Sequence, residues 1–167
     1  PRWHQGRLWL SDFYTHQVIA VDLAGRAEQM AQVPQQPSGL GWLPDGRLLA
    51  VSMRDRKIMR READGTLVQH ADLSGIAAGH ANDMVVDSQG RAYFKTRAER
   101  DHNSIILRQS DRAGMDFFGY KVLDKATLAS LEKQLNEYGV KTERIPAGEL
   151  LETGERVRFQ IPTGHMI

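Results

Sequence analysis

A chain of 167 residues can bury a hydrophobic core and holds one ordinary domain or two small ones, which excludes two complete enzymes in tandem. Its 22 basic and 21 acidic residues nearly cancel, with no run of Lys or Arg long enough to track a phosphate backbone, so no nucleic-acid partner is expected. The absence of cysteine excludes disulfides, thiolate metal sites and cysteine nucleophiles.

A cysteine-free chain suits a reducing compartment. No stretch approaches the roughly 18 apolar residues that cross a bilayer, and the N-terminus lacks a charged-then-apolar leader pattern. The expectation is a cytoplasmic protein without a membrane partner.

In chain order the first predicted elements are repeats. Gln5-Gly6-Arg7-Leu8-Trp9-Leu10 recurs as Asp45-Gly46-Arg47-Leu48-Leu49-Ala50 and as Gln89-Gly90-Arg91-Ala92-Tyr93-Phe94, at spacings of 40 and 44 residues. Each copy reads as a tight turn feeding a strand. A further turn comes 19 residues later in two copies, at Ala24-Gly25 and Asp64-Gly65, after short strands at Val18 to Val21 and Lys57 to Met59. Four short strands in a unit of about 42 residues is the size of a propeller blade.

After Gly90 the period fails, because Gln109 stands where the next turn is due. Strands are predicted at Ile105 to Leu107 and Met115 to Val122. A helix follows from Ala126 to Tyr138: Leu128, Leu131, Leu135 and Tyr138 share a face that must pack on a sheet. Asp124 can cap its start, and Gly139 supplies a left-handed stop. Strands at about Val140 to Ile145 and Arg156 to Ile161 complete the chain. The fold class is mainly β with one α-helix, an α+β chain of incomplete propeller blades joined to a strand–helix–strand module.

Two blades and the start of a third cannot close a ring that takes roughly four to eight. Strand edges and apolar faces are left open, which predicts a homo-oligomer, a dimer or a trimer. The trimer follows from arithmetic, since three copies of two blades give about six.

Chemistry-bearing residues are sparse. Arg54, Arg56, Lys57, Arg60 and Arg61 cluster, but Asp55, Glu62 and Asp64 interrupt them, as on a solvated strand face. His4, His16 and His80 show no metal-ligand spacing. Ser11 and Ser52 sit in no nucleophile elbow, and Gly39 and Gly41 lack the third glycine and the helix of a dinucleotide loop. Pro1 offers a secondary amine of the kind tautomerases use as a base, with nothing else of their pattern.

Three segments carry a resemblance: Pro1-Arg2-Trp3-His4-Gln5-Gly6-Arg7-Leu8-Trp9-Leu10-Ser11-Asp12, Pro37-Ser38-Gly39-Leu40-Gly41-Trp42-Leu43-Pro44-Asp45-Gly46-Arg47, and Gly79-His80-Ala81-Asn82-Asp83-Met84-Val85-Val86-Asp87. On these, residues 1–94 resemble the regucalcin and gluconolactonase family of six-bladed propellers. Three later segments are Gly114-Met115-Asp116-Phe117-Phe118-Gly119-Tyr120-Lys121-Val122, Pro146-Ala147-Gly148-Glu149-Leu150, and Arg156-Val157-Arg158-Phe159-Gln160 with Pro162-Thr163-Gly164-His165. On these, residues 95–167 resemble the N-terminal, non-catalytic domain of catechol 2,3-dioxygenases, a βαβββ module of the vicinal oxygen chelate superfamily. The run Asp87-Ser88-Gln89-Gly90-Arg91-Ala92-Tyr93-Phe94 suits both families, which makes it the natural seam of a chimera.

The first resemblance implies a divalent cation, Ca or Zn, held by oxygen ligands and polarising a lactone carbonyl. The family's metal-binding Glu lies ahead of the segment beginning at Pro1, and its Asn and Asp ligands lie in later blades, so no metal ligand is assigned here. Asn82 matches the family's substrate-contacting Asn; by itself it also reads as a strand-start residue bonding its own backbone. The second resemblance implies iron(II) on two His and a carboxylate, ligands that belong to that family's other domain. His102 and His165 therefore read as surface or turn histidines, and no catalytic residue is assigned. The expected function is a fusion without catalytic activity that folds and self-associates. The alternatives are a weak metal-dependent sugar lactone hydrolase formed on oligomerisation and residual binding of aromatic diols.

Overall fold

The computed structural model describes residues 1–95, 100 and 102–167, and the chain divides into two compact units, Pro1–Gln109 and Ser110–Ile167. Among the described residues it is mainly β with one helix, and its sheets are open rather than closed into a barrel. Among the described residues no helix is long and apolar enough to cross a membrane.

The first unit begins with two four-stranded antiparallel meanders. Strands β1 (Arg2–His4), β2 (Arg7–Asp12), β3 (Gln17–Val21) and β4 (Ala27–Gln32) form the first sheet. Strands β5 (Pro37–Trp42), β6 (Leu48–Ser52), β7 (Lys57–Arg61) and β8 (Leu67–Asp72) form the second. The repeat is structural down to its irregularities. The third strand of each sheet carries a register shift, between Val18 and Ile19 in one and Ile58 and Met59 in the other. His16 and Arg56 both adopt the left-handed region, at φ +61° and +57°, and their carbonyls accept from Val33 and Leu73 at 2.8 Å each. The turns at Gly6, Gly46 and Gly90 share φ values of +73°, +85° and +76°, which only glycine adopts without strain.

A third sheet holds β9 (Val85–Val86), β10 (Ala92–Phe94) and β11 (Ile105–Leu107), with β10 in the middle. The strand expected at Ile105 to Leu107 thus pairs with residues of the repeat region, Phe94 opposite Ile105 and Ala92 opposite Leu107.

Alternation along each strand sends side chains to opposite faces, and two apolar layers result. One joins the first sheet to the second through Trp9, Val18, Ala20 and Ala31 against Leu40, Leu48 and Ala50. The other joins the second sheet to the third through Leu49, Val51 and Ile58 against Met84, Ala92 and Phe94. Strand β6 lies in the middle with all five residues buried.

In the second unit the helix α1 (Lys125–Glu137) has the expected ends. Asp124 is the N-cap and accepts from the Thr127 N–H at 2.7 Å, and Gly139 stands at φ +81°. Strands β12 (Thr142–Ile145) and β13 (Arg156–Phe159) form a two-stranded antiparallel sheet. The helix meets it through Glu132, which accepts from Arg144 and from the Thr142 hydroxyl. No helix residue is fully buried, and Leu131 keeps 42% of its surface exposed, so the leucine face is covered only in part.

Residues 115–122 do not form the strand their composition predicts. They make one bridge, Phe117 with Met166, and the Phe118 N–H donates to the Met166 carbonyl at 3.0 Å. A strand needs a run of neighbouring ladder bonds, and a single bridged residue cannot supply one.

Gly39 tests the packing of β5 on the segment leading into β9. A Cβ there would meet the Met84 nitrogen at 2.6 Å and the Asn82 oxygen at 2.9 Å, both backbone atoms, whereas one at Gly75 would meet nothing within 4 Å. Gly39→Ala is expected to lower stability by about 1–3 kcal/mol in urea unfolding, and Gly75→Ala to stay near wild type; equal stabilities for the two variants would contradict this packing.

Candidate functional site

Close packing at Gly39 brings the start of β5 beside the turn before β9 and opens a cleft of about 250 Å³ whose lining includes Arg2, Ser11, Ser38, Asn82 and Asp83. The Arg2 guanidinium donates to the Asp83 carboxylate at 3.0 Å and to the Met84 carbonyl at 3.1 Å. Asn82 accepts through its main-chain oxygen from the Ser38 hydroxyl at 2.7 Å and the Gly39 N–H at 2.9 Å. Its side-chain amide has no partner among the described residues. Ser11 donates to the Ser38 carbonyl at 2.6 Å.

These bonds limit the chemistry of the cleft. Each serine proton is directed at a carbonyl, and among the described residues no base bonds to either hydroxyl to activate it. A hard divalent cation needs several converging oxygen ligands. Here the cleft's carboxylate, Asp83, already carries a guanidinium cation, and two carbonyls accept from serines. The residues present therefore do not fit the implied cation. Among the described residues no group of three or more His, Asp or Glu could hold a metal ion.

The remaining candidates are dispersed. His4 stacks on Trp42 with ring centroids 4.0 Å apart and planes 14° apart, and Trp9 meets Trp42 edge-on at 5.4 Å. His80 is exposed in the loop before Asn82, and His16 holds a turn. His102 sits edge-on to Tyr93, while His165 contacts the Thr163 hydroxyl at 3.0 Å. Ser52 is 2% exposed. Of the basic cluster, Arg61 donates to the Met30 carbonyl at 2.6 Å, Arg56 to the Ala77 carbonyl at 3.0 Å and Arg60 to Glu62 at 2.7 Å. In the second unit a groove of about 480 Å³ presents Lys141 and Gln160, the latter bonded to the Gly164 carbonyl.

Arg2 and Ser38 escape a reading that seeks catalytic spacing. The signal for them lies in the same segments that carry the resemblance, at Pro1-Arg2-Trp3 and Pro37-Ser38-Gly39.

Residues 1–114 match the family model of the SMP-30/Gluconolactonase/LRE-like region. The chain belongs to this family. Residues 115–167 match the model of the catechol 2,3-dioxygenase-like N-terminal domain, so this member of the SMP-30/gluconolactonase family is a chimera of the two kinds. It is 45% identical over 102 residues to the metapyrocatechase of Pseudomonas sp. (strain CF600), a match covering 61% of this chain and 32% of that protein. The chain thus spans about a third of the length of that curated relative. The crystal structure of the 2,3-dioxygenase LapB from Pseudomonas sp. KL28 is 63% identical, covers 49% of this chain and 28% of its own, and gives a TM-score of 0.48. The gluconolactonase of Xanthomonas campestris is 24% identical over 53% of this chain and 30% of its own, with a TM-score of 0.45.

Two histidines make the first unit sensitive to acid. Burial against Trp9 and Trp42 lowers the pKa of His4 below its usual 6.5. Burial also lowers that of His70, helped by the charges of Arg60 and Arg47 and opposed by Glu62. Arg60 stands 3.1 Å from the His70 Nδ1, an acceptor only in the neutral ring. Both rings bind fewer protons folded than unfolded, so their contribution is complete above pH 6.5 and is lost as the pH falls toward their folded values. The urea midpoint is expected to be flat above neutrality and to fall below pH 6.5, with a smaller fall in His70→Gln. A midpoint that rises on acidification would contradict the buried, neutral state of both rings.

Proposed function

We propose that this chimera does not hydrolyse sugar lactones and acts instead as a folded, self-associating β-rich protein. The observation that carries this reading is the Arg2 clamp. Its guanidinium occupies the Asp83 carboxylate and the Met84 carbonyl, groups that a metal site in this cleft would need for its ligands. The cleft then serves as a joint, holding β1 and β5 to the segment that enters β9.

In this reading the first two sheets are propeller blades, the third is an incomplete blade, and the second unit is a fragment of a βαβββ module. The join lies in the run from Asp87 to Phe94, giving parts 1–94 and 95–167. What supports that position is the run itself, which suits both families; the metapyrocatechase match does not locate it, because 102 residues of a 167-residue chain reach back to residue 66 or beyond. With those bounds β9 and β10 would derive from one parent, and β11 from the other. The lack of cysteine suits this protein to the cytoplasm.

One observation favours a lactonase reading, the unpartnered Asn82 amide in the cleft. Assays of gluconolactone hydrolysis with calcium, zinc or manganese separate the two. We expect rates equal to buffer for wild type and Asn82→Ala alike. Metal-dependent turnover that disappears in Asn82→Ala would overturn the proposal.

A further inference from the structure

The register of the first sheet sorts its side chains onto two faces. Trp3 pairs with Leu8, Leu8 with Val21, and Leu10 with Ile19, so these five share the face opposite to Trp9, Val18 and Ala20. The second sheet repeats the arrangement. There Trp42 pairs with Leu48, and Ala50 pairs with Leu40 and Met59. By pairing, Trp42 occupies the position of Trp3, Leu48 that of Leu8, Ala50 that of Leu10 and Met59 that of Ile19.

These equivalent faces have different surroundings. In the second sheet the face is packed against the first sheet, leaving Leu48 4% and Ala50 0% exposed. In the first sheet Trp3 is 60% and Leu8 39% exposed. A surface built like an inter-sheet interface is open to solvent.

Its charge identifies the occupant. Besides the five apolar residues the paired positions of the face carry Gln17, Ala27, Gln29, Gln32 and, at one end, Asp12, with no Lys, Arg or Glu among them. The Asp12 carboxylate already accepts from the N–H groups of Tyr14 and Thr15. A face of this kind can meet its own copy without opposing like charges, and it offers nothing to pair with a charged partner. Head-to-tail stacking would need the outward side of the third sheet. Tyr93 on that side is 2% exposed, with its hydroxyl bonded to Asp87 and its ring beside His102, which leaves Val85, at 36%, as the exposed large apolar residue there among the described residues. A face that meets itself closes at two subunits.

We infer that the open face of the first sheet, centred on Leu8, Leu10 and Ile19 with Trp3 beside them, is a homodimer interface on which a second copy packs the same face. The inference rests on the self-association proposed above and assigns it a surface. Two faces of four short strands, each about 19 Å across and packed about 10 Å apart, make an interface at the small end of the specific range. The dimer should therefore be concentration-dependent at micromolar protein.

Sedimentation equilibrium of the full chain tests this with Leu8→Lys and Ile19→Lys, and with Leu123→Lys as control because Leu123 is 90% exposed outside the face. We expect a monomer–dimer equilibrium in wild type and control, and association weaker by about a hundredfold or more in the two face variants, each of which would bury unpaired charge. Circular dichroism and the urea midpoint establish that the variants fold, and Trp3→Ala provides an uncharged variant expected to weaken the dimer. Association retained in both lysine variants would refute this face while leaving self-association intact. A wild type that stays monomeric at every concentration would refute both.

Discussion

Each sheet of the first unit has two faces, and a β-sheet rich in Leu, Val and Ile draws its stability chiefly from the faces that are kept from water. β6 shows the constraint at its strictest. Leu48 and Ala50 fill the layer toward the first sheet while Leu49 and Val51 fill the layer toward the third, and all four are at most 4% exposed. Full burial of a side chain such as Leu49 contributes roughly 1.5–3 kcal/mol, far more than the partly exposed ion pair between Arg2 and Asp83. The two apolar layers hold the sheets together, and the polar bonds of the cleft set their alignment.

The cleft follows from the packing of β5. Gly39, Leu40 and Gly41 are buried in succession there, Gly39 lies where the backbone of residues 82–84 crosses, and the half-buried Ser38 faces the Asn82 carbonyl. The polar groups of the cleft connect one part of the chain to another. The second unit follows a different balance. Its ion pairs stand on partly exposed side chains: Arg144 with Glu132 joins the hairpin to the helix, while Arg144 with Glu155 and Arg158 with Glu143 link the two sides of the hairpin. Its buried apolar residues are Ile145 and Leu150, so apolar packing there is slight beside that of the first unit.

What the sequence made legible was local. The turns at Gly6, Gly46 and Gly90 mark the repeat because a positive φ restricts residue choice, and Asp124 and Gly139 mark the helix because caps act within one turn. The family resemblance of both parts also lies in contiguous segments. What depends on distant partners was hidden. The apolar stretch 115–122 has strand composition but, among the described residues, pairs at the single bridge of Phe117 with Met166. The bond from Arg2 to Asp83 spans 81 positions, and His4 stacks on Trp42 across two sheets. The candidate residue Asn82 was visible from the resemblance, whereas the use of its main-chain oxygen as an anchor required the fold.

The claim on which the rest depends is that the second sheet is the stable centre, covered on both sides by neighbouring sheets. Hydrogen exchange followed by mass spectrometry reads this directly. The account predicts the slowest exchange in Leu48–Ser52 and its partners in β5 and β7, with fast exchange across 115–122 and in the helix. Slower exchange in the helix than in β6, or rapid exchange throughout the second sheet, would contradict it.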